Sequence, residues 1–368
     1  MPQFKILINN TEIPFEVPLT YRITDQVDGE VIQNFQVLPR VTTQLNKKVL
    51  LLKDNTPKEV IVNVTSHVNK FNGLVTLKTP FDWTFTPKNH KVEIEKSGES
   101  KEYIFKINPP DGNNTGIFSS IVTENQKSHI LSLKKINYPH ISKQYLLTPN
   151  KTKVSKIDLK SSVKKVAYLK GAGDKIGESL ENIGINVTEF DIENLRLETI
   201  LPFPTLIVGI RAFNVHKDLI FKNKILWKYI EKGGTLIVQY NTSRGLDSSI
   251  VAPYPINISR DRVTDENADV KFLIKDHPIL NHPNKISSKD FEGWVQERGL
   301  YFPKVWDKKY QAIFSMSDRG EEERKGSLLV ADYGKGKFIY TGLSFFRELP
   351  EGVPGAYRLF INLISYGK

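Results

Sequence analysis

Residues 205–241 constrain the fold most, because they predict a strand, a helix and a second strand in succession. Residues 206–208 and 236–238 are short, continuous runs of apolar, largely β-branched residues, which is typical of strands buried on both faces. Between them an amphipathic helix is predicted, and Gly233-Gly234 follows as its stop signal. The buried side of this helix is predicted to carry Leu219, Leu226, Tyr229 and Ile230. This order predicts a right-handed crossover between parallel strands, with any site at their carboxyl ends.

The whole chain of 368 residues is too long for one ordinary core and predicts a multidomain protein. Residues 1–45 alternate apolar and polar residues about the turn Asp28-Gly29, as a β-hairpin remnant of a preceding β domain would. Residues 46–136 hold about seven short strand patterns and predict an immunoglobulin-like β-sandwich with Trp83 in its core. Residues 137–163 are interpreted as a linker, and residues 164–368 as an α/β flavodoxin-like domain with a mostly parallel sheet.

Composition excludes some chemistry and favours none. The chain has no cysteine, which removes thiol nucleophiles, disulfides and thiolate metal sites. Its net charge of +11 comes from lysines scattered among acidic residues, so solvated faces are favoured over a nucleic-acid surface. No apolar run reaches membrane-spanning length, and the first residues lack a signal-peptide core.

Two motifs are weak candidates for a cofactor or a metal ion. Gly171-Ala172-Gly173 follows a predicted strand, but its spacing does not match a dinucleotide fingerprint and Asp174 would oppose a phosphate. His277 and His282 lack the spacing of a metal pair, and prolines interrupt the segment between them. We therefore expect neither a cofactor nor a bound metal.

The strongest site candidates are polar residues that follow predicted strands or lie in apolar loops. Because the carboxyl ends of parallel strands share one edge of a sheet, these side chains are expected to line one crevice that binds a sugar or a carboxylate. The candidates are Arg211, Asn214, Tyr240, Asn241, Arg260, Arg262, Trp294, Glu297, Arg298 and Arg347. A buried ion-pair network is an equally weighted alternative, with Arg298 or Arg262 matched to Glu297 or Asp261.

Several long segments resemble the C-terminal region of large bacterial PIG-L (LmbE-like) deacetylases. They are GIRAFNV, GGTLIVQYN, APYPINISRDRVTDENA, HPILNHPNKI, DFEGWVQERGLYFP and YTGLSFFRELPEGVPGAYRLFINLISYG. The resemblance covers residues 160–368 closely and 1–140 more loosely. In that family a metal-dependent deacetylase domain precedes immunoglobulin-like modules and a class I glutamine amidotransferase-like domain. The deacetylase signature, a PHxDD-type run with a distal HxxH, does not occur in this sequence.

The resemblance implies an accessory region of an N-acetyl-sugar deacetylase, without the enzyme itself. The amidotransferase nucleophile would follow residues 236–238, where the chain instead has Gln239-Tyr240-Asn241-Thr242-Ser243. The expected role is therefore non-catalytic: carbohydrate binding or scaffolding, with a glycan or the deacetylase domain as partner. A periplasmic or extracellular location is implied. The alternatives are a hydrolase-like enzyme that uses the α/β crevice, and a structural module of a secreted or surface assembly.

Overall fold

The computed structural model describes residues 3–27, 29–138 and 140–368, which are rich in β-structure. In chain order the strands are β1 (Gln3–Ile8), β2 (Thr11–Glu16), β3 (Thr20–Asp25), β4 (Gly29–Asn34), β5 (Val41–Leu45), β6 (Val49–Leu52), β7 (Lys58–Ser66), β8 (Phe71–Lys78), β9 (Thr84–Thr86), β10 (His90–Ile94), β11 (Ser100–Asn108), β12 (Asn114–Glu124), β13 (Lys127–His129), β14 (Leu131–Ile136), β15 (Gln144–Pro149), β16 (Thr152–Lys156), β17 (Lys165–Leu169), β18 (Asn186–Phe190), β19 (Thr205–Val208), β20 (Thr235–Gln239), β21 (Ile256–Val263), β22 (Lys271–Phe272), β23 (Gly299–Trp306), β24 (Gln311–Ala312), β25 (Phe314–Ser315), β26 (Leu328–Tyr333) and β27 (Gly336–Thr341). The helices are α1 (Ile176–Asn182), α2 (Leu197–Ile200), α3 (Ala212–Val215), α4 (Leu219–Glu231), α5 (Pro278–Asn281), α6 (Phe345–Glu348) and α7 (Pro354–Ser365).

The chain divides into two compact units, each discontinuous in sequence. The first contains the described residues of 1–48, 55–111 and 115–153, and the second contains 49–54, 112–114 and 154–368. No helix in the described ranges is both long and apolar enough to cross a bilayer.

The first unit is a β-sandwich with additional hairpins. One sheet has the antiparallel order β5–β7–β11–β9, and in the other β8 pairs with β10 and β12. Along β7, Val60, Val62 and Val64 are buried while the residues between them are more exposed, which is the alternation of a sheet with one solvated face. Trp83 is buried as predicted and meets Phe118 edge-on, with ring centroids 5.3 Å apart.

Strand pairing in this unit differs from the predicted boundaries in two places. Residues 41–45, assigned to the N-terminal hairpin, form β5, which pairs with β7 because Val41 and Leu45 supply buried side chains to the sandwich. The predicted linker, residues 137–163, contains β15 and β16; β15 pairs with β14. The predicted N-terminal hairpin is present as β3–β4, preceded by the hairpin β1–β2, and its turn residue Asp28 lies outside the described residues.

The second unit is built on a mixed sheet in the order β18–β17–β19–β20–β27–β26–β24. The first four pairings are parallel and the last two antiparallel, so the sheet is mixed, where a mostly parallel flavodoxin-like sheet was expected. The predicted strand–helix–strand unit is confirmed as β19, α4 and β20, and the inward residues of α4 are those predicted.

Both faces of this sheet are covered. Alternate residues of one strand enter different apolar clusters: Ile207 packs with α7 residues such as Phe360, and Leu206 packs with α4 residues such as Leu226. Residues 242–325 hold β21 to β25 and α5, and β24 joins the main sheet. The carboxyl ends of β19, β20 and β27 consequently lie side by side at one sheet edge.

Candidate functional site

The carboxyl ends of three neighbouring parallel strands place the candidate site. Arg211 follows β19, Tyr240 follows β20 directly, and Arg347 lies on α6, after β27. The backbone N–H of Arg211 donates to the Tyr240 carbonyl at 2.8 Å, so the first two turns are joined. Arg211, Tyr240 and Arg347 thus follow three strands whose carboxyl ends share one edge of the sheet.

An aromatic group surrounds Tyr240, which is 7% exposed. The Tyr240 and Tyr301 rings are nearly parallel, at an angle of 8° with centroids 5.9 Å apart. Phe346 lies against Tyr240 at 5.2 Å. Tyr301 is itself fixed, because the Tyr340 hydroxyl donates to its carbonyl at 3.0 Å. These rings form a half-buried aromatic surface.

Charged side chains complete this arrangement. Arg347 Nε donates to Glu297 Oε1 at 2.9 Å, and the two side chains are 36% and 14% exposed. The Arg347 guanidinium also lies 4.8 Å from the Phe346 ring centroid. We call the assembled residues the Tyr240 cluster: Arg211, Tyr240, Glu297, Tyr301, Phe346 and Arg347.

Three charged side chains of the cluster lie close enough to the Tyr240 hydroxyl to shift its pKa. Burial raises the pKa of its hydroxyl, the positive charges of Arg211 and Arg347 partly oppose that rise, and the Glu297 charge adds to it. The hydroxyl therefore stays protonated at neutral pH and can donate a hydrogen bond. Both arginines and the glutamate act on the same phenol.

Left-handed backbone conformations concentrate at this cluster. Arg211, Gln296 and Tyr301 have φ values of 54°, 70° and 53°, a region that non-glycine residues rarely occupy. Such conformations persist where surrounding structure over-determines them, which is frequent at functional sites. Here the Arg211 N–H is hydrogen-bonded to the Tyr240 carbonyl, and the Tyr301 carbonyl accepts a hydrogen bond from the Tyr340 hydroxyl.

Asn214 and Asn241 brace the turns instead of presenting their amides to a ligand. Asn241 Oδ1 accepts from the Phe213 N–H at 3.1 Å, and its Nδ2 donates to the Gln239 carbonyl at 3.0 Å. Asn214 exchanges two bonds with the backbone of Thr242, at 2.8 and 3.0 Å. Asn241 is one of the ligand-binding candidates, but its fully buried side chain bonds the backbone through both its amide oxygen and its amide nitrogen.

Trp294 and Arg298 belong to the buried interior rather than to the cluster. The Trp294 indole is 3% exposed and donates to the Asp290 carbonyl at 3.0 Å, so it is not a stacking face for a ligand. Arg298, 4% exposed, donates to the Ala268 carbonyl from Nε at 3.0 Å and Nη2 at 2.9 Å, and to the Phe291 carbonyl. The expected partners of Arg298 are taken by other arginines, since Glu297 pairs with Arg347 and Asp261 with Arg324. Burial lowers the pKa of Arg298, and the nearby charge of the buried Glu348 raises it.

Arg260 and Arg262 are exposed on β21. The Arg262 charge contributes to lowering the pKa of Asp318, whose carboxylate also accepts backbone N–H bonds from Thr264 and Asp265. Asp261 lies 3.6 Å from Arg324, not from Arg262. In the described part of the chain, no hydrogen bond, ion pair or ring contact joins Arg260 or Arg262 to the Tyr240 cluster.

The weak cofactor and metal motifs have structural roles. A Cβ on Gly171 would lie 2.1 Å from the Ile210 carbonyl, so this glycine permits close packing of two turns. His277 Nδ1 accepts from the Ile279 N–H at 3.2 Å and caps α5, while His282 lies 3.3 Å from Ser162 Oγ. Among the described residues, no group of three or more histidine or carboxylate side chains is placed to hold a metal ion.

Sequence reasoning missed the two aromatic residues that flank Tyr240. Tyr301 lies within the apolar segment that supplied Trp294, and Phe346 directly precedes Arg347. The sequence did contain a signal that could have found them: both are aromatic residues close to candidate arginines or to a predicted strand end. Which aromatic faces the site and which fills the core depends on tertiary packing.

The fold and cluster define a protein with a β-sandwich and a mixed α/β sheet that carries a polar–aromatic site. No protein family and no curated protein matches the sequence. Solved structures give partial likenesses: an Escherichia coli alpha-2-macroglobulin from domain MG7 to the C-terminus (14% identity, 32% of this chain, 17% of that chain, TM-score 0.21), and the exo-β-1,4-mannosidase Op5Man5 of Opitutaceae bacterium strain TAV5 (11% identity, 51% and 33%, TM-score 0.32). The chain thus spans a third or less of the length of either, and likenesses this weak assign neither a fold family nor a function.

Proposed function

We propose that this chain is a non-catalytic accessory region of a PIG-L-type N-acetyl-sugar deacetylase and that its Tyr240 cluster binds a glycan. The observation that carries the proposal is the convergence of Arg211, Tyr240 and Arg347 at the carboxyl ends of adjacent parallel strands. In open α/β sheets this edge is where ligands bind. The finer fold proposed for the second unit is an amidotransferase-like domain without its nucleophile, and that proposed for the first unit is an immunoglobulin-like sandwich.

The chemistry of the cluster supports a sugar ligand. The rings of Tyr301 and Phe346 offer flat apolar surface for the C–H face of a sugar. Arg211 and Arg347 offer planar donors for hydroxyl or carboxylate oxygens. Glu297 Oε1 accepts from Arg347, and its Oε2 offers an acceptor to a ligand. An acidic or N-acetylated saccharide combines the groups that these side chains recognise.

The protonation of Tyr240 and the hydrogen bonds of Glu297 and Asn241 favour binding over catalysis. The Tyr240 hydroxyl has a raised pKa and stays protonated, so it is a poor nucleophile at neutral pH. Glu297 is occupied by Arg347, and Asn241 by the backbone. General acid–base chemistry needs a group that can exchange a proton with substrate, and none of these three is arranged for it.

Isothermal titration calorimetry with chitooligosaccharides and with a uronic-acid oligosaccharide tests the binding proposal. We expect Tyr301→Ala and Arg347→Ala each to weaken binding by about tenfold or more, because each removes a direct contact. Arg260→Ala is the matched control, as an exposed arginine outside the cluster, and should bind like the parent chain. Failure of both oligosaccharides to bind, or equal losses in the control, would refute the proposal.

The association with a deacetylase has a separate test. Mapping the native transcript should find a PHxDD-type coding region in the same reading frame or an adjacent gene. We expect acetate release from N-acetylated glycans by the product of that region and none by this chain alone. The corresponding location is periplasmic or extracellular, which fractionation of the native host would establish. Acetate release by this chain would favour the hydrolase alternative.

A further inference from the structure

The outer face of the β-sandwich carries a second polar groove, in a different unit from the Tyr240 cluster. It is a cavity of about 220 Å³ on strands β5, β7 and β11, and β14 forms one wall. A groove of this size has room for a small polar group such as one ring of a saccharide. The side chains that matter for its chemistry are Gln44, Asn63, Thr65, His67, Ser100 and Lys135.

Strand register places these side chains in two cross-strand rows. Thr65 lies opposite Thr42 on one side and Ser100 on the other, and Asn63 lies opposite Gln44. The hydroxyls of Thr65 and Ser100 share a hydrogen bond at 2.7 Å, and Thr42 Oγ1 bonds His67 Nε2 at 2.9 Å. Side chains on one face of paired strands are held about 5 Å apart. The rows therefore form an ordered array of hydrogen-bonding groups.

A buried polar network holds the β5 side of the groove in place. On the inner face of β5, Thr43 Oγ1 bonds Ser120 Oγ at 2.7 Å, which fixes β5 to β12 across the sandwich. Asn150 Oδ1 accepts from the Leu45 N–H at 3.2 Å, and its Nδ2 donates to Ser120 Oγ. Buried networks with satisfied partners make a strand rigid. The groove is consequently preorganised.

We propose that this groove is a second binding site, for a neutral saccharide. Amides and hydroxyls each donate and accept, which matches sugar hydroxyls better than it matches an anion that only accepts. In the described part of the chain, Lys135 is the one cation on its lining, and Leu133 adds apolar surface for a sugar C–H face.

The state of His67 agrees with a neutral ligand. Burial and the nearby Lys135 charge lower the pKa of the His67 ring, so it is uncharged at neutral pH. Its Nε2 is engaged by Thr42, which leaves Nδ1 for a further hydrogen bond. The ring thus adds a polar group without a second positive charge.

NMR titration of the ¹⁵N-labelled intact chain tests this site. Cellobiose and chitobiose are the probes, and inorganic phosphate is the comparison. We expect a disaccharide to shift the amide signals of β5, β7 and β11, and Asn63→Leu to weaken this binding by about tenfold or more. Asn72→Leu is the matched control, because Asn72 is exposed on β8 in the other sheet of the same unit. Gln44→Leu is a second variant should Asn63→Leu fail to fold.

The outcomes separate this site from the Tyr240 cluster. The proposal is supported if a disaccharide still shifts the β5, β7 and β11 amide signals in Tyr301→Ala but no longer does so in Asn63→Leu. This result holds whether or not the Tyr240 cluster binds a glycan. Shifts with phosphate alone would show a point-charge contact at Lys135 and overturn it. So would the absence of groove shifts at millimolar disaccharide, or equal binding by Asn63→Leu and the parent chain.

Discussion

At the scale of single residues, Arg298 is an interior brace. Its guanidinium is buried and lies 5.6 Å from the ring centroids of both Phe291 and Trp294. It donates to two carbonyls, that of Ala268 in a loop and that of Phe291 at the end of a short 3-10 helix. An arginine in this position connects separate segments of the chain, because its planar guanidinium group donates hydrogen bonds to several acceptors at once.

We expect Arg298→Ala to destabilise the chain by about 3 kcal/mol, because it leaves two buried carbonyl acceptors without donors. Urea unfolding followed by circular dichroism measures this loss. Arg260→Ala, an exposed arginine, should stay within about 0.5 kcal/mol of the parent chain. Equal small effects of the two substitutions would mean that Arg298 is not a brace. If Arg298→Ala lost glycan binding without losing stability, Arg298 would instead belong to the ligand site.

A second residue-scale prediction concerns acid. Burial lowers the pKa of His277, and Lys337 lowers it further against opposing effects of Gln311 and Asp332. Because the folded-state pKa lies below the unfolded value of about 6.5, the unfolded chain binds the proton first. Stability due to this group is therefore complete above pH 6.5 and declines as the pH falls.

Replacing His277 with asparagine should flatten that decline between about pH 7 and pH 5, since Asn can still cap α5. Unfolding midpoints at several pH values, compared with those of the parent chain, measure the difference. Unfolding at pH 8, where the His277 ring is neutral in both the folded and the unfolded chain, is the reference that separates this effect from a general loss of stability. An unchanged slope in His277→Asn would show that its titration does not contribute.

At the scale of elements, α4 ends as its glycines predict. Gly233 has φ 102°, its N–H donates to the Ile230 carbonyl at 2.8 Å, and the Gly234 N–H donates to the Tyr229 carbonyl at 3.1 Å. This is the Schellman arrangement. We expect Gly233→Ala to cost about 1 kcal/mol, and Gly233→Asn less. Gly177→Ala, in the ordinary helical conformation of α1, is the control. Its Cβ would lie 3.3 Å from the Glu189 side chain, so thermal unfolding should show a smaller loss than for Gly233→Ala.

The hairpin β1–β2 has one apolar face that stays about half exposed. Its register pairs Phe4 with Phe15 and Ile6 with Ile13, and the two phenyl rings stack at 5.6 Å. Exposed apolar strand faces promote association. We expect Ile6→Lys to reduce concentration-dependent light scattering without lowering the melting temperature. Leu7→Lys, on the opposite face, is the control; an equal effect there would show that the apolar face is not responsible.

At the scale of the whole molecule, the second unit depends on a segment far away in sequence. Leu51 of β6 is 3% exposed within the same apolar cluster as Ile157, and the Ile157 N–H donates to the Leu52 carbonyl at 2.8 Å. A fragment of residues 154–368 loses this strand. Neighbouring strands would then expose both an apolar surface and unpaired backbone groups.

We expect the 154–368 fragment to melt below the second unit of the intact chain. In the intact chain, Leu51→Ala should destabilise that unit by about 2–5 kcal/mol, as large-to-small changes in a core do. Hydrogen exchange of the β17, β19 and β20 amides reports on this unit in both cases. Equal protection in the fragment and the intact chain would contradict the role of β6.

The sequence by itself determined the elements whose signals are local. The apolar runs of β19 and β20, the helical spacing of α4 and the glycine stop at its end all lie within about forty residues, and all are present. The resemblance to deacetylase accessory regions and the glycan role remain predictions. Only the tertiary structure decided that Arg298 binds carbonyls, that Glu297 pairs with Arg347, and that Tyr301 and not Trp294 stands beside Tyr240. The physical reason is that a polar or aromatic side chain has several acceptable partners, and packing between distant segments selects one.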